Sequence, residues 1–196
     1  MAKINQIGNK TSALEINGAY SLPTVDGTAS YVFTTDGSGT VSWQPSDDNL
    51  IQMVTVTTGS AILINSSIPD DNTIPQKTEG VEVLTLAITP KSATNILYIE
   101  FDTWMSFNSG NSYAECALFQ DATTNGIAYA YAAYSSAEDD YLTMRHIMAA
   151  GTTSATTFKA RVGLAANTGY VNALPDGTQI FGGVSGTILT IREYTP

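Results

Sequence analysis

The residues that most often carry catalytic or metal chemistry are nearly absent from this chain. Its 196 residues include one cysteine, Cys116, and one histidine, His146. A single cysteine excludes an intrachain disulfide, and a zinc site needs several cysteine or histidine ligands. Catalysis of the Ser/His/Asp or Cys/His type would depend on His146, which lies among Leu142, Met144 and Met148 and better fits an apolar face. We therefore predict a non-enzymatic protein with no catalytic residue, no metal site and no cofactor.

Basic charge is also scarce. The chain has eight Lys and Arg against 18 Asp and Glu, which gives a net charge of -10 and no basic cluster. Nucleic acid and anionic membrane surfaces both attract positive patches, so neither is an expected partner. Charged residues make up only 13% of the chain, while β-branched and aromatic residues are plentiful. This composition predicts a folded β protein with a polar, mostly uncharged surface.

Long apolar runs are missing as well. No run approaches the roughly 18 residues that a membrane-spanning helix needs, so we expect no membrane insertion. The N-terminal sequence MAKINQIGNKTSALEING has no apolar segment of the kind found in secretory signals. We therefore expect synthesis in the cytoplasm, with release, if any, by another route such as lysis.

From residue 50 onward the chain is a series of short strands separated by turn residues. The alternation is clearest in 96–105, where Leu97, Ile99 and Phe101 share one face. The predicted strands are 51–57, 61–64, 81–88, 96–105, 113–120, 127–134, 141–149, 156–163 and 187–194, with shorter ones near 169–171 and 179–181. Strands that recur about every 10 to 15 residues, without a long helix, indicate an all-β fold with a jelly-roll-like β-sandwich.

Two of these strands have unusual faces. One carries only alanines on one side, and the other carries a flexible apolar set that includes the single histidine. These faces consist of Ala128, Ala130 and Ala132, and of Leu142, Met144, His146 and Met148. They can fill a sandwich core, or they can form an oligomer interface where small and flexible side chains allow close approach.

Tyrosines and carboxylates cluster near the end of the alanine-faced strand. Tyrosine rings can stack on sugars while carboxylates accept hydrogen bonds from hydroxyl groups, so this segment is a candidate glycan-binding rim. The rim would consist of Tyr129, Tyr131, Tyr134, Asp139, Asp140 and Tyr141. The alternative is a packed strand followed by a solvated loop. The other acidic pairs, 47–48 and 70–71, match no calcium loop pattern and are interpreted as solvated loops.

The segment before residue 50 has a different character. Residues 1–19 have scattered apolar side chains, which suit either a flexible tail or a peptide that becomes ordered on a partner. Residues 20–44 contain two short apolar runs, each followed by Asp-Gly, a dipeptide that favours tight reversals. Each run is too short and narrow to bury its own apolar side chains, so the segment is either a linker or a stalk.

Two parts of the chain resemble virion proteins of bacteriophages. The segment LPTVDGTASYVFTTDGSGTVSW, residues 22–43, resembles the L-P-x-x-D-G-T-x-x-x-V-x-x-T-D-G-x-G-x-x-x-W segment of tail fibres and related proteins. Segments 68–75, 86–93, 117–121, 150–153 and 157–161 resemble a C-terminal β domain of phage and prophage fibres. The family brings no catalytic residues.

The resemblance implies a homotrimer whose segments have separate tasks. Residues 1–19 would be a peptide docked on other virion proteins, 20–49 a short trimeric β stem, and 50–196 the distal sandwich. Three copies would then share the core that one stem segment cannot form. The expected stem contacts are Leu22, Val25, Tyr31, Val32, Phe33, Val41 and Trp43.

The expected function follows from this resemblance. A trimeric tail-fibre-type protein of the virion would adsorb to a host-cell glycan or another envelope component. The alternative is a capsid decoration or head-fibre protein, because the segment before the distal domain is much shorter than the usual fibre shaft.

Overall fold

The computed structural model describes residues 15–16, 20–25, 27–28, 31–45, 49–107, 112–134, 140–165 and 168–196. Its regular elements there are β-strands, apart from a single 3-10 turn at Phe181–Gly183. Within these ranges, no helix has the length and apolar character to cross a membrane. The all-β prediction is confirmed.

The chain divides into two compact units, residues 1–49 and 50–196. The first unit contains β1 (Glu15–Ile16), β2 (Tyr20–Ser21), β3 (Tyr31–Thr35) and β4 (Val41–Pro45). The second contains β5 (Leu50–Thr58), β6 (Ile62–Ile64), β7 (Val81–Ile88), β8 (Ile96–Phe107), β9 (Ser112–Gln120), β10 (Ala128–Tyr134), β11 (Asp140–Ala149), β12 (Thr156–Leu164), β13 (Gly169–Val171) and β14 (Thr187–Tyr194).

The first unit contains a β-hairpin formed by β3 and β4. Its turn is stabilised by the Asp36 carboxylate, which accepts hydrogen bonds from the backbone N–H groups of Ser38 (2.8 Å) and Thr40 (3.1 Å). These bonds lower the pKa of Asp36. Gly37 follows with a φ of 78°, which a glycine adopts without steric cost. The second Asp-Gly pair is therefore the tight reversal that its sequence indicates.

The second unit is a sandwich of antiparallel sheets. One sheet has the order β10-β9-β12-β7. In the other, β8 pairs with β11 on one side and with β14 and β13 on the other, while β5 and β6 extend the outer edge. The main apolar core contains Phe101 and Ile99 from one sheet and Leu118 and Phe158 from the other. The predicted sandwich is confirmed.

The two unusual strand faces contribute to this core. The alanine face of β10 packs against it, as does Met148 of β11. Leu142 and Met144 of β11 are buried, and His146 lies partly buried on the same side of the strand. Burial lowers the pKa of His146, because desolvation disfavours the imidazolium form. Of the two interpretations offered by the sequence, the core interpretation is the one that the structure supports.

The expected strand near residues 179–181 is not formed. Phe181, Gly182 and Gly183 have φ values of 52°, 63° and 77°, which belong to left-handed backbone and are incompatible with an extended strand. The segment makes the 3-10 turn instead. Ile180 and Phe181 favour a strand, but the Gly-Gly pair that follows makes the reversal possible.

A buried carboxylate holds the loop between β7 and β8 against the last strand. Glu193 Oε1 accepts hydrogen bonds from the backbone N–H of Lys91 (2.7 Å) and the side-chain amide of Asn95 (2.6 Å). A longer bond comes from the N–H of Ser92 (3.4 Å), and Oε2 accepts one from Gln52 Nε2 (2.5 Å). Burial favours the neutral acid, but these hydrogen bonds outweigh it and lower the pKa of Glu193.

The loop between β6 and β7 covers part of the outer face of the four-stranded sheet. Ile68 is fully buried there against Ala117 and Phe119. Gly163 of β12 makes this approach possible, since a Cβ at its position would lie 2.5 Å from the backbone nitrogen of Ile68. Arg161 fixes the end of the loop by donating hydrogen bonds to the backbone carbonyls of residues 79 and 80. The loop therefore has a defined position on the sheet.

Candidate functional site

A cavity of about 570 Å³ lies between this loop and the outer face of the four-stranded sheet. The sheet contributes Tyr113 and Glu115 from β9, and Ala128, Tyr129 and Tyr131 from β10. The loop contributes Pro69, Asp70, Asp71, Thr73, Ile74 and Pro75, and the turn before β10 contributes Gly126 and Ile127. The cavity therefore belongs entirely to the second unit.

Strand alternation places the tyrosines and the glutamate on the cavity side of the sheet. In β9, Ala114 and Cys116 point into the main core, so Glu115 between them emerges on the outer face. In β10, Tyr131 lies directly opposite Glu115, and Tyr129 lies opposite the next outward residue, Ala117. The antiparallel register thus brings aromatic rings and a carboxylate side by side.

The loop wall is held by hydrogen bonds to the turn between β9 and β10. The Gly126 N–H donates to the Pro75 carbonyl at 2.8 Å, and the side chains of Gln76 and Asn125 are joined at 3.1 Å. Within the wall, the carboxylate of Asp71 accepts hydrogen bonds from the hydroxyl and the N–H of Thr73. These bonds lower the pKa of Asp71.

Glu115 is the chemically unusual residue of the cavity. Its side chain is 1% exposed, and Oε1 accepts a hydrogen bond from the Tyr129 hydroxyl at 3.2 Å. Oε2 is buried and has no hydrogen-bond partner among the described residues. Burial raises the pKa of Glu115 to about 7, and the negative charge of Asp70 acts in the same direction. Burial and the charge of Glu115 likewise raise the pKa of Tyr129.

The three tyrosine rings line the cavity at different angles. The rings of Tyr129 and Tyr131 have centroids 6.3 Å apart and planes inclined by 27°. Tyr113 meets Tyr131 edge-on, with centroids 6.3 Å apart and planes inclined by 67°. All three remain substantially exposed. They can therefore offer both ring faces and hydroxyl groups to a ligand.

The structure does not bring the predicted glycan rim together as one site. Tyr129 and Tyr131 line the cavity described above, whereas Tyr141 lines a second cavity of about 420 Å³ with Trp104 and Phe181. The reason is that Tyr141 lies near the start of β11, which pairs with β8 in the other sheet. Asp139, and the side chains of Tyr134 and Asp140, lie outside the described residues.

Most contributors to the cavity were not expected from the sequence. Tyr113 and Glu115 belong to a strand that was predicted, and Asp70 and Asp71 belong to a loop that was interpreted as solvated. The available signal was a glutamate at an outward position of an otherwise apolar strand, YAECALF. A charged side chain in that position is normally either exposed to solvent or paired with another group. In the described part of the chain, no group of three or more His, Cys, Asp or Glu is placed to hold a metal ion.

The predicted stem contacts fall on both faces of the β3–β4 hairpin. Strand alternation and register put Tyr31, Phe33, Val41 and Trp43 on one face and Val32 on the other. The Phe33 and Trp43 rings stack with centroids 3.9 Å apart, yet Phe33 remains 54% exposed. Val25, whose carbonyl accepts a 2.9 Å hydrogen bond from Trp43 Nε1, is also exposed, and Leu22 is partly buried. The apolar face of the hairpin is therefore left incompletely covered by the described residues of this chain.

These observations define a β-sandwich domain with a tyrosine-lined cavity on one sheet, preceded by a small β unit. Residues 52–196 match the model of the Pgp3 C-terminal domain. Because the match spans more than half of the chain, the chain belongs to the Pgp3 C-terminal domain family. The matched family is not a phage-fibre family, so the expectation that the distal domain is a C-terminal domain of phage fibres is not supported by this match.

Similarity to other known proteins is loose. The chain is similar to a solved structure described as "EclA C-terminal domain; sugar-binding protein", with 17% identity over 65% of this chain and 83% of that chain, at a TM-score of 0.36. It is similar to the VP2 subviral particle of infectious bursal disease virus, with 10% identity over 79% of this chain and 39% of that chain, also at a TM-score of 0.36. Among curated proteins, none matches the chain significantly. Likenesses this distant carry no argument about function.

Proposed function

We propose that this protein is a non-enzymatic adsorption protein that binds a cell-surface glycan through the cavity on β9 and β10. The observation that carries the proposal is Glu115, a buried carboxylate that lines the cavity beside three tyrosine rings and whose Oε2 has no hydrogen-bond partner among the described residues. Aromatic faces and a hydrogen-bond acceptor are what sugar ligands use. A purely structural carboxylate at this depth would be expected to have both oxygens satisfied.

Binding is a better account of these residues than hydrolysis. A glycosidase holds two carboxyl groups on either side of the scissile bond, one as acid and the other as base or nucleophile. Here the Asp71 carboxylate is engaged by Thr73, and Glu115 Oε1 is engaged by Tyr129. Because these oxygens are already hydrogen-bonded within the protein, we propose that the two groups hold a ligand.

We further propose that the protein acts as a homotrimer joined through its first unit. The exposed apolar face of the hairpin, with Tyr31 and Phe33, supports this because such a face is stabilised when other copies cover it. Three linked binding sites would convert weak single-site binding into avidity. Light scattering on the full chain tests this directly: a trimer is expected, and a stable monomer would refute it.

The resemblance of residues 22–43 to fibre stems supports a place on a virion. In this proposal the protein is of tail-fibre type, is made in the cytoplasm of infected bacteria, and uses residues 1–19 to dock on other virion proteins. The second candidate is a capsid decoration or head-fibre protein.

A fluorescent fusion of the full chain tests adsorption. We expect it to bind candidate host bacteria and to lose most of that binding after their surface polysaccharide is removed. Binding that is unchanged by this treatment would contradict a glycan receptor. Immunogold labelling of particles then separates the two virion positions, since label at the tail tip supports adsorption and label on tail-less capsids supports decoration.

A further inference from the structure

The charge of the tyrosine-lined cavity restricts what can enter it. Three carboxylic acids line it, Asp70, Asp71 and Glu115, and the described lining residues include no Lys, Arg or His. The chain as a whole carries a net charge of -10, so no distant excess of positive charge offsets this local field. An anionic ligand would be repelled from the cavity, whereas a cationic group would be attracted.

The unpartnered oxygen of Glu115, buried at the wall of the cavity, supplies an acceptor for such a group. It belongs to a side chain that is 1% exposed and that lines the cavity, and its other oxygen is already bonded to Tyr129. A buried acceptor left without a donor is costly, and a charged donor would make the stronger kind of hydrogen bond to it. The raised pKa of Glu115 fits this view, because a carboxylate that awaits a cation is poorly stabilised without one.

The tyrosine rings supply the second element of cation recognition. The negative face of an aromatic ring attracts a cation that lies within about 6 Å of its centroid. Tyr131 is inclined by 27° to one neighbouring tyrosine and by 67° to the other, so the rings do not form one flat platform. Rings set at several angles can contact a compact, rounded cation from more than one side.

We propose that the cavity binds an organic ammonium group, with Glu115 as its counter-ion and the faces of Tyr113, Tyr129 and Tyr131 as its walls. This inference rests on the proposed function, since it names the ligand class of the same adsorption site. Two sources share this chemistry: the quaternary ammonium of a choline-type substituent, and the protonated primary amine of an amino sugar. An inorganic metal cation is the poorer fit, because among the described residues no acidic cluster is arranged to hold one.

Isothermal titration of the full chain with two matched pairs of probes tests the proposal. Choline is compared with 3,3-dimethylbutan-1-ol, its uncharged analogue, and glucosamine is compared with glucose. We expect the charged member of at least one pair to bind about tenfold more tightly than its neutral partner, since a charge-assisted hydrogen bond and ring contacts are both at stake. The pair that shows the difference identifies the source. Equal binding within both pairs, or no binding by any probe, would overturn the proposal.

Two substitutions connect the charge preference with particular side chains. Glu115→Gln keeps the shape of the side chain and removes its charge, so the affinity for the charged probe should fall about tenfold while any neutral binding persists. Tyr131→Ala should also weaken the charged probe, while Tyr131→Phe, which keeps the ring face, should retain most of its affinity. Tyr141→Ala, which alters an exposed tyrosine of the second cavity, is the matched control and should leave titration unchanged.

Circular dichroism of each variant keeps the result interpretable. If Glu115→Gln is folded and binds the charged probe like the wild type, the proposal is refuted. If that variant does not fold, the comparison of Tyr131→Ala with Tyr131→Phe decides the question. If the wild type shows no charge preference but still binds cells through their polysaccharide, the ammonium inference alone is refuted. If the wild type shows no polysaccharide-dependent binding to cells, the proposed function is refuted.

Discussion

Two buried glutamates in the same sandwich are treated in opposite ways. Glu193 is fully buried, and both of its oxygens accept hydrogen bonds from the loop before β8 and from Gln52. Glu115 is 1% exposed, and one of its oxygens has no partner among the described residues. The pKa of Glu193 is lowered, whereas that of Glu115 is raised to about 7.

The difference separates a structural carboxylate from one that is available to a ligand. Where this fold uses a buried charge to hold a loop, it surrounds that charge with donors, as Glu193 shows. Glu115 is equally buried, but one of its oxygens has no hydrogen-bond donor among the described residues, and the side chain lines a cavity. Retaining such a residue costs stability, so a binding role for it is the economical explanation. Each prediction below alters one side of this comparison.

The largest effect is expected from Glu193→Ala. The change leaves the amide of Asn95, the N–H groups of Lys91 and Ser92 and the amide of Gln52 without their shared acceptor. We expect the free energy of unfolding to fall by about 3 to 5 kcal/mol, because several donors lose their acceptor at once and each buried unpaired donor costs about 1 to 3 kcal/mol. Urea denaturation at neutral pH measures it. The control is Glu82→Ala at an exposed, ion-paired position, where less than about 1 kcal/mol is expected. Equal losses in the two variants would contradict the structural role of Glu193.

An opposite response to pH is expected around Glu115. Its pKa is raised from 4.5 to about 7 on folding, so the native state binds more protons than the unfolded state in this interval. The free energy of unfolding should therefore fall by up to about 3 kcal/mol as pH rises from 4.5 to 7, and stay lowered above it. Glu115→Gln cannot ionise at this position and therefore lacks this loss of stability, while Asp70 and Asp71 are the same in both proteins. At pH 8 this variant should be the more stable protein, and at pH 4 the two should be similar.

Thermal unfolding at a series of pH values checks this prediction. Its readout is the difference between wild type and Glu115→Gln, because this subtraction removes the contribution of the other carboxylates. Glu193 makes stability depend on pH in the opposite direction. Its lowered pKa gives stability that is present at neutral pH and lost as pH falls below the ordinary value of 4.5. A wild type that gains stability over Glu115→Gln as pH rises would contradict our account of Glu115.

A smaller change of stability is expected from Gly163→Ala. The added Cβ would lie 2.5 Å from the backbone nitrogen of Ile68, so the loop that forms the cavity wall must move or the strand must shift. We expect a loss of about 1 to 3 kcal/mol, the usual range for overpacking, together with weaker ligand binding. Gly151→Ala is not a fair control because its φ is 68°, whereas Gly186→Ala has ample room and should be close to neutral. Urea denaturation of both variants measures the effect, and equal stabilities would contradict the described loop position.

The smallest effect is expected from Tyr129→Phe. It removes the single hydrogen bond that Glu115 receives from the described residues, at Oε1, and leaves the ring in place. That bond lowers the pKa of Glu115 against the larger effect of burial, so the variant should raise this pKa further. The loss of stability should be about 1 kcal/mol. Nuclear magnetic resonance titration of the carboxyl group measures the shift, and a lower pKa in the variant would contradict the assigned bond.

The strands could be predicted from the sequence because their signal is local. In β8, Leu97 and Phe101 alternate with polar residues, and this pattern alone fixes which side faces the core. The 3-10 turn at Phe181–Gly183 was missed because left-handed backbone at a phenylalanine has no simple sequence signal. Strands marked by alternating apolar residues could thus be predicted, whereas a turn that depends on left-handed backbone at a non-glycine residue could not.

The cavity could not be predicted in the same way because it depends on pairing between distant segments. Tyr129 and Tyr131 stand out in the sequence because tyrosines and carboxylates cluster there. Their partners in the cavity are an outward glutamate on β9 and a loop that lies about 50 residues earlier in the chain. Tyr141 is close to them in sequence and belongs to the other sheet. Sequence proximity therefore grouped Tyr141 with residues that line a different cavity, and it gave no indication of Glu115, the residue on which the proposed chemistry depends.

The most direct test of the central claim is a carbon-detected magnetic resonance titration of the Glu115 carboxyl group in the full chain, assigned with the Glu115→Gln variant. Our account predicts a midpoint near pH 7, and a midpoint that moves downward when the ammonium probe that binds is added. A midpoint near the ordinary value of 4.5, unaffected by either ammonium probe, would show that Glu115 is already satisfied and would contradict the account.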